Sequence, residues 1–347
     1  MSNKWMKQLR SFEDSVDLEA DSFAPDNCMY TPSPFFNWIF ANKSNGIPKN
    51  ASVLFFSSPK AGKSLSCYAL VAEMQKRDPE GIAIYFNTEL RGALQSNVFS
   101  SIDKDRLFVY DTNSPADIFD RIDGTIKSWV EEGMPLKMII IDSISNIIGV
   151  KRESAESVTS HLMGDAALTL KNGLSKLVPF CKRNGILLIG TAQMTANMDA
   201  GPYGPKEKMQ SSFATKHAFE YFVSLKRAGA AEDRKDLEGI SFEDDIKDAR
   251  GNKLLTGHKI FVKLEESSIG SAGRAGVFTL DYKDGIINTH EELFTLGTNT
   301  GIIKKEGMRN YFFGDHKWSS KMECANAIKT DQKLADAILK EIIKLDA

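Results

Sequence analysis

The sequence predicts an α/β fold: a mostly parallel twisted sheet with helices on both faces. Three observations predict it. Short apolar runs of strand length recur at residues 52–56, 82–86, 107–110, 138–141 and 186–189. Segments with helical periodicity separate them. The first run leads directly into Ser57-Ser58-Pro59-Lys60-Ala61-Gly62-Lys63-Ser64, a stretch with the spacing of a phosphate-binding loop. Near-continuous apolar strands alternating with helices are what a sheet covered on both faces requires.

Taken in order, Trp5, Leu9, Phe12 and Val16 recur at helical spacing and predict a short amphipathic helix. Such a helix needs a surface to pack on, either its own core or a neighbouring subunit. Residues 22–34 carry three prolines and read as a linker or an isolated extended stretch, followed by a short apolar helix with Phe35, Phe36, Trp38, Ile39 and Phe40. After the loop, residues 65–76 predict a helix, and so do 115–132, with Ile118, Ile122 and Ile126 on one face, and 164–183. Residues 221–225 and 259–264 predict strands flanking a polar insertion at 228–257. Residues 277–282 and 285–288 predict an antiparallel edge. From Thr289 the pattern changes to short helices around an aromatic turn (Tyr311, Phe312, Phe313, Trp318), which predicts a small separate C-terminal α/β domain. The expected division is residues 1–30 for oligomerisation, 31–288 for the core and 289–347 for this domain.

Composition narrows the class. The formal net charge is -2, so any nucleic-acid contact must come from a local basic surface. The four cysteines (Cys28, Cys67, Cys181, Cys324) are scattered without a C-x-x-C pair, which indicates neither a zinc site nor a disulfide framework. Residues 1–21 are charged throughout and the apolar runs are too short to span a bilayer. The chain is expected to be soluble and cytoplasmic, with no membrane partner.

The loop carries the chemistry. The pattern G-x-x-x-x-G-K-[ST] is complete except for its first glycine, which is Ser57. Ser57, Ser58, Pro59, Lys60, Ala61, Gly62, Lys63, Ser64 and Leu65 are the expected nucleotide-binding residues. Backbone N–H groups at a helix start cradle phosphate, Lys63 supplies positive charge, and the Ser64 hydroxyl suits Mg²⁺. The competing reading is an ordinary polar β-to-α turn. Asp142 ends the apolar run Met138-Ile139-Ile140-Ile141, the form of a Walker B strand whose acid serves Mg²⁺. Glu89, in Asn87-Thr88-Glu89, is placed to orient a water attacking a γ-phosphate, and otherwise is a solvated cap. Gln193 ends another strand before a long patternless stretch, 194–212. There its amide can bond a γ-phosphate and lose that partner when the phosphate leaves, or be a plain edge-strand amide.

The order P-loop, Asn-Thr-Glu, Ile-Ile-Ile-Asp-Ser and Thr-Ala-Gln resembles the RecA family of strand-exchange ATPases, and looks closest to the phage UvsX-type recombinases. The resemblance runs from about residue 30 to residue 345. It includes Thr159-Ser160-His161-Leu162-Met163-Gly164, Glu292-Leu293-Phe294-Thr295-Leu296-Gly297, Trp318 and Ala325-Asn326-Ala327. It implies a RecA-like P-loop ATPase core that uses ATP and Mg²⁺ and forms a helical filament on single-stranded DNA. It also implies duplex DNA as a partner during homologous pairing, mediator and single-strand-binding proteins as further partners, and the cytoplasm of a phage-infected bacterial host as location. Carried over, the resemblance makes Lys63, Glu89 and Gln193 catalytic, and Ser64 and Asp142 the metal residues. It puts two DNA loops at about 151–161 and 194–213, with Lys151, Arg152, His161, Met163, Asn197, Met198, Tyr203, Lys206 and Lys208 as DNA contacts. Lys216 and Lys263 are the implied contacts to ATP across a subunit boundary. In the family two cations stand there, whereas here Lys263 is followed by Glu265 and Glu266; Arg274 is a possible substitute. The aromatic residue that stacks on adenine is also missing, and Arg91 stands near its place. Two other readings stay open: a RecA-core ring motor of helicase type, and a weakly hydrolysing DNA-coating filament protein.

Overall fold

The structure, a computed structural model, describes residues 23–43, 45–90, 101–154, 164–197, 201, 207–209, 213–228, 243–247, 253–268 and 270–346. The expected N-terminal helix at 5–16 lies outside these residues.

Strand β1 (Cys28–Met29) pairs with β2 (Ile47–Pro48). The main sheet contains β3 (Ser52–Ser57), β4 (Ile82–Asn87), β5 (Leu107–Asp111), β6 (Leu136–Asp142), β7 (Leu187–Ala196) and β8 (Glu207–Met209). β9 (Tyr221–Arg227) also belongs to it, whereas β10 (Glu243–Lys247) and β11 (Lys253–Leu255) form a separate pair. β12 (Gly257–Ser267), β13 (Ala275–Asp281) and β14 (Gly285–Ile287) complete the main sheet in the order β14-β13-β12-β9-β3-β7-β6-β4-β5. The run from β9 to β5 is parallel and β12 to β14 are antiparallel. This is a RecA-like α/β core. Among the described residues, no helix is long and apolar enough to cross a membrane.

Alternation along each strand assigns its two faces. Val53, Phe55, Tyr85, Met138, Ile140 and Ile189 pack with Cys67, Leu70 and Val71 of the Lys63–Arg77 helix. Leu54, Ile84, Phe86, Ile139, Ile141 and Leu188 point the other way, onto Leu170, Leu174 and Leu177 of the Asp165–Arg183 helix. Both faces are therefore dry.

Four elements differ from the sequence expectation. The helix expected at 115–132 winds through two π-helical turns, Ala116–Asp120 and Ile122–Ile126, before Lys127–Glu131 becomes α-helical. Ile118, Ile122 and Ile126 are all buried, and their spacing of four stays on one line only if the helix is wound wider than 3.6 residues per turn. The stretch expected to be patternless after Gln193 begins as strand: β7 continues to Ala196 and pairs antiparallel with β8 through Met194↔Met209 and Thr195↔Lys208. The linker at 22–34 is anchored in its own subunit, where Cys28 and Met29 pair with β2 and are buried. The aromatic turn is a three-stranded antiparallel sheet of β15 (Lys304–Glu306), β16 (Asn310–Phe313) and β17 (His316–Trp318). Helices Thr289–Asn299, Lys321–Thr330 and Gln332–Ile343 pack with it through Phe294, Tyr311, Trp318 and Ile338.

Phe35 joins that C-terminal cluster, and a buried carboxyl locks the junction. Ser33 caps the Pro34–Trp38 helix by accepting from the Phe36 amide, while its hydroxyl bonds Glu292 Oε2. The Phe35 amide donates to the same oxygen at 3.3 Å. Burial pushes the Glu292 carboxyl well above its usual range, and these two bonds offset that only in part. The folded chain thus holds a proton that the unfolded chain releases near the ordinary value of 4.5. Stability from this group is greatest below that pH and declines as pH rises above it. Glu292→Gln, neutral at every pH, is expected to gain stability relative to wild type as pH rises above the ordinary carboxyl value, read from urea midpoints. A parallel pH dependence in both proteins would contradict this.

Candidate functional site

The phosphate loop sits where β3 ends and the Lys63–Arg77 helix begins. Gly62 caps the helix with φ +98, a conformation that excludes most side chains, and a Cβ there would lie 2.6 Å from Ile260 Cδ1. The helix presents its unsatisfied N–H groups and the positive end of its dipole at this point. A cavity of about 340 Å³ opens beside it. Pro59, Lys60, Gly62, Lys63, Ser64 and Leu65 line the cavity, Ser57 and Ala61 are buried outside its lining, and Ser58 is exposed.

Strand alternation brings the remaining groups to the same place. Ser57, Asn87, Asp142, Thr191 and Gln193 follow core residues of their strands by even steps, so they emerge on the face that carries the Lys63–Arg77 helix. Register then sets them side by side, with Ser57 opposite Gln193 and Asn87 opposite Asp142. Glu89, Asp142 and Gln193 line the cavity with Lys63 and Ser64. These five expected residues are brought together.

The contacts are specific. The Ser64 hydroxyl donates to Asp142 Oδ2 at 2.6 Å. The Tyr85 hydroxyl donates to the same oxygen and the Thr191 hydroxyl to Oδ1. Tyr85 also stacks on Tyr68 at 5.0 Å, and burial, then the Asp142 charge, pushes the Tyr68 phenol up to about 12. Thr88 fixes the Asn-Thr-Glu turn: its amide donates to the Asp142 carbonyl at 2.8 Å and its hydroxyl to the Ser143 carbonyl at 2.6 Å. Beyond this turn Gln193 Nε2 donates to Glu89 Oε1 at 2.6 Å.

Tyr85, Thr191, His258 and Tyr282 were not expected here. Tyr85 and Thr191 were accessible in principle, since Tyr85 precedes the Asn87-Thr88-Glu89 motif by two and Thr191 precedes Gln193 by two along its strand. His258 and Tyr282 come from β12 and the residue after β13, whose approach to the loop depends on an antiparallel register. His258 is buried, with Nδ1 3.1 Å from the Tyr282 hydroxyl. Burial first, and then the Arg227 charge, hold it down to about 4 against the pull of the Ala61 backbone, so it is neutral at neutral pH.

Those expected DNA and inter-subunit residues that are described do not line the cavity. Lys151 and Arg152 are exposed on a single helical turn, Val150–Glu153, tied to the Asp165–Arg183 helix by the Arg152 amide to Asp165 Oδ2 at 3.0 Å. Asn197 follows β7 and is half-buried, and Lys208 is exposed on β8. His161, Met163, Met198, Tyr203 and Lys206 lie outside the described residues, as does Arg91. Lys216 is exposed on the Phe213–Ala218 helix. Lys263 alternates with the core residues Val262 and Leu264, so it lies on the sheet face opposite the phosphate-loop helix, where it forms an ion pair with Glu265. Glu265 also accepts from Ser224 at 2.8 Å. Burial alone would raise the Glu265 carboxyl, but the Lys263 and Ser224 bonds more than offset this and hold it below its usual range. Arg274 lies over the Trp38 ring of its own chain, 4.5 Å from the centroid, and donates to the Trp38 carbonyl.

The residues fit Mg²⁺. Among the described residues, no group of three or more His, Cys, Asp or Glu is gathered for a metal. Mg²⁺ needs no such cage, because it keeps several waters and is commonly held by one or two protein oxygens together with substrate phosphates. Ser64 and Asp142 supply that kind of pair beside the loop.

No protein-family model matches the chain. It is 23% identical to Protein RecA of Corynebacterium aurimucosum over 297 residues, which covers 86% of this chain and 71% of that protein. It is 22% identical to Protein RecA of Paracoccus denitrificans, over 82% of this chain and 72% of that one. Against Protein RecA of Oleidesulfovibrio alaskensis it is 20% identical, over 96% and 88% respectively. Low identity carried along most of the chain, on a parallel-sheet core with a phosphate loop, supports placing this protein with the RecA-family recombinases.

Proposed function

We propose that this chain is an ATP-dependent DNA recombinase of the UvsX type. In this reading it assembles as a helical filament on single-stranded DNA and promotes homologous pairing and strand exchange in the cytoplasm of a phage-infected host. The observation that carries the reading is the convergence of Lys63, Ser64, Glu89, Asp142 and Gln193 around one cavity. Lys63 and the loop amides bind the phosphates of ATP. Ser64 and Asp142 hold Mg²⁺, which when bound neutralises charge on the β- and γ-phosphates. Glu89 orients and deprotonates the attacking water, so catalysis rests on positioning and electrostatics.

Gln193 links this chemistry to DNA. Its amide engages Glu89, and the next three residues of the same strand, Met194 to Ala196, are paired with the hairpin arm that carries Lys208. A γ-phosphate competing for the Gln193 amide would change the position of that arm, and loss of the phosphate on hydrolysis would reverse it. Lys151, Arg152 and Lys208 neutralise DNA phosphates, and binding weakens with salt accordingly. Lys216 and Lys263 reach ATP held by a neighbouring subunit. Residues 1–30 mediate assembly, 289–347 form a small C-terminal domain, and mediator and single-strand-binding proteins regulate loading.

Tyr85→Phe removes one outer partner of Asp142 without changing side-chain shape. It is expected to raise the Mg²⁺ concentration for half-maximal nucleotide binding by roughly tenfold or more, measured by Mg²⁺ titration with a fluorescent ADP. An unchanged midpoint would contradict this role. Assembly itself is tested by negative-stain imaging with single-stranded DNA, Mg²⁺ and a slowly hydrolysed ATP analogue. Helical filaments are expected, and closed rings would favour a helicase-type motor. The Lys263–Glu265 pair favours one second reading, a filament that hydrolyses ATP slowly because its bridging cation is partly neutralised.

A further inference from the structure

Ser57 stands where the phosphate-loop pattern has glycine, and its hydroxyl makes contacts that glycine has no atoms to make. The side chain is 3% exposed and lies outside the cavity lining, whereas Lys63 lines the cavity. Lys63 Nζ donates to Ser57 Oγ at 2.8 Å and to the Ser57 carbonyl at 3.4 Å. The Ser57 hydroxyl donates its own hydrogen to the Ser58 carbonyl, also at 2.8 Å. With that hydrogen committed, the oxygen turns its lone pairs to the ammonium, and a charge-assisted bond of this kind is among the stronger ones a neutral hydroxyl can make. Ser57 is not among the residues that line the cavity, so its side chain does not take up space that a phosphate would fill.

We propose that Ser57 is a positioning residue for Lys63: its hydroxyl fixes the ammonium at the cavity wall before a polyphosphate nucleotide arrives. A lysine side chain has large rotamer freedom, and a ligand that has to order it binds more weakly than one that meets it already placed. The serine therefore substitutes for the missing glycine by preorganising the cation. The inference rests on the reading that this cavity takes nucleotide.

The test compares the full-length protein with Ser57→Ala, Ser57→Gly and Ser57→Thr in equilibrium binding of a fluorescent ADP with Mg²⁺ and without DNA. Alanine and glycine are expected to raise Kd about 3- to 10-fold, and threonine to keep Kd within about twofold. In parallel, acylation of Lys63 by an amine reagent in nucleotide-free protein, read by peptide mass spectrometry, is expected to quicken in the alanine and glycine variants but not in the threonine variant. Alanine and glycine variants that bind as tightly as wild type or more tightly, with Lys63 labelling unchanged, would overturn the proposal. Failure of the wild type to bind nucleotide would overturn the reading of the cavity instead, and the labelling rates would still decide whether Ser57 holds Lys63. Thermal melting of each variant identifies any that is unfolded, and two independent hydroxyl-free variants keep the comparison decisive.

Discussion

Glu89→Gln is expected to lower DNA-stimulated ATP turnover by roughly 100- to 10,000-fold while nucleotide and DNA binding persist. The geometry makes this a clean substitution. Glu89 accepts from Gln193 at 2.6 Å, and a glutamine at position 89 retains a carbonyl oxygen for that bond. Thr88 still anchors the turn to the Asp142 and Ser143 carbonyls, so the backbone has no cause to move. What disappears is basicity beside the phosphate cavity. Steady-state hydrolysis is the readout, with fluorescent nucleotide binding and DNA gel shifts as controls. Turnover within a few-fold of wild type would remove Glu89 from the role of base. Loss of nucleotide binding together with turnover would point to a structural role for the carboxylate.

The second large effect is expected from Lys263→Ala, which should lower turnover of the assembled protein by roughly 100- to 1,000-fold, the usual cost of losing one charge-stabilising donor. Lys263 lies on the sheet face opposite the phosphate-loop helix, so contact with its own cavity is not the geometry on offer. In the proposed function Lys263 acts on the site of a second subunit, and nucleotide affinity of the dispersed protein should therefore be unchanged. Glu265 complicates the site in an informative way, because it is held ionised and paired to this lysine. Glu265→Ala should release the ammonium and raise turnover, whereas a cation supplied by another residue would leave both variants near wild type. Arg274 is a poor candidate for that cation, since it is engaged with Trp38.

Much of the site could be read from the sequence because it is built from strand ends. A strand followed by Gly-Lys-Ser fixes the loop, and apolar runs ending in Glu89, Asp142 or Gln193 must deliver those groups to the same edge of a parallel sheet. What depends on lateral register was harder to read. Tyr85 and Thr191 meet Asp142 only because β4, β6 and β7 are neighbours, an order that crosses the sequence. His258 and Tyr282 arrive through antiparallel strands whose offset is set by turns without a distinctive signature. The hairpin formed by β7 and β8 was missed because its paired arms, Met194–Ala196 and Glu207–Met209, are only three residues long, too short for alternation to give a signal. The strands β15 to β17 were missed for a related reason. Lys304, Lys305 and Lys317 interrupt the apolar pattern, and only Tyr311 and Trp318 are buried there. The π-helical turns show the opposite case, since a strict repeat of four in Ile118, Ile122 and Ile126 was present in the sequence and fits a wider winding.

The coupling proposed between ATP chemistry at the Lys63 cavity and single-stranded DNA runs through Gln193. Its most direct test is steady-state ATP hydrolysis by the purified full-length protein with Mg²⁺, measured with and without single-stranded DNA. Turnover that rises at least about tenfold with DNA, and loses that rise in Gln193→Ala, is the predicted result. Turnover indifferent to DNA, in wild type and variant alike, would contradict it.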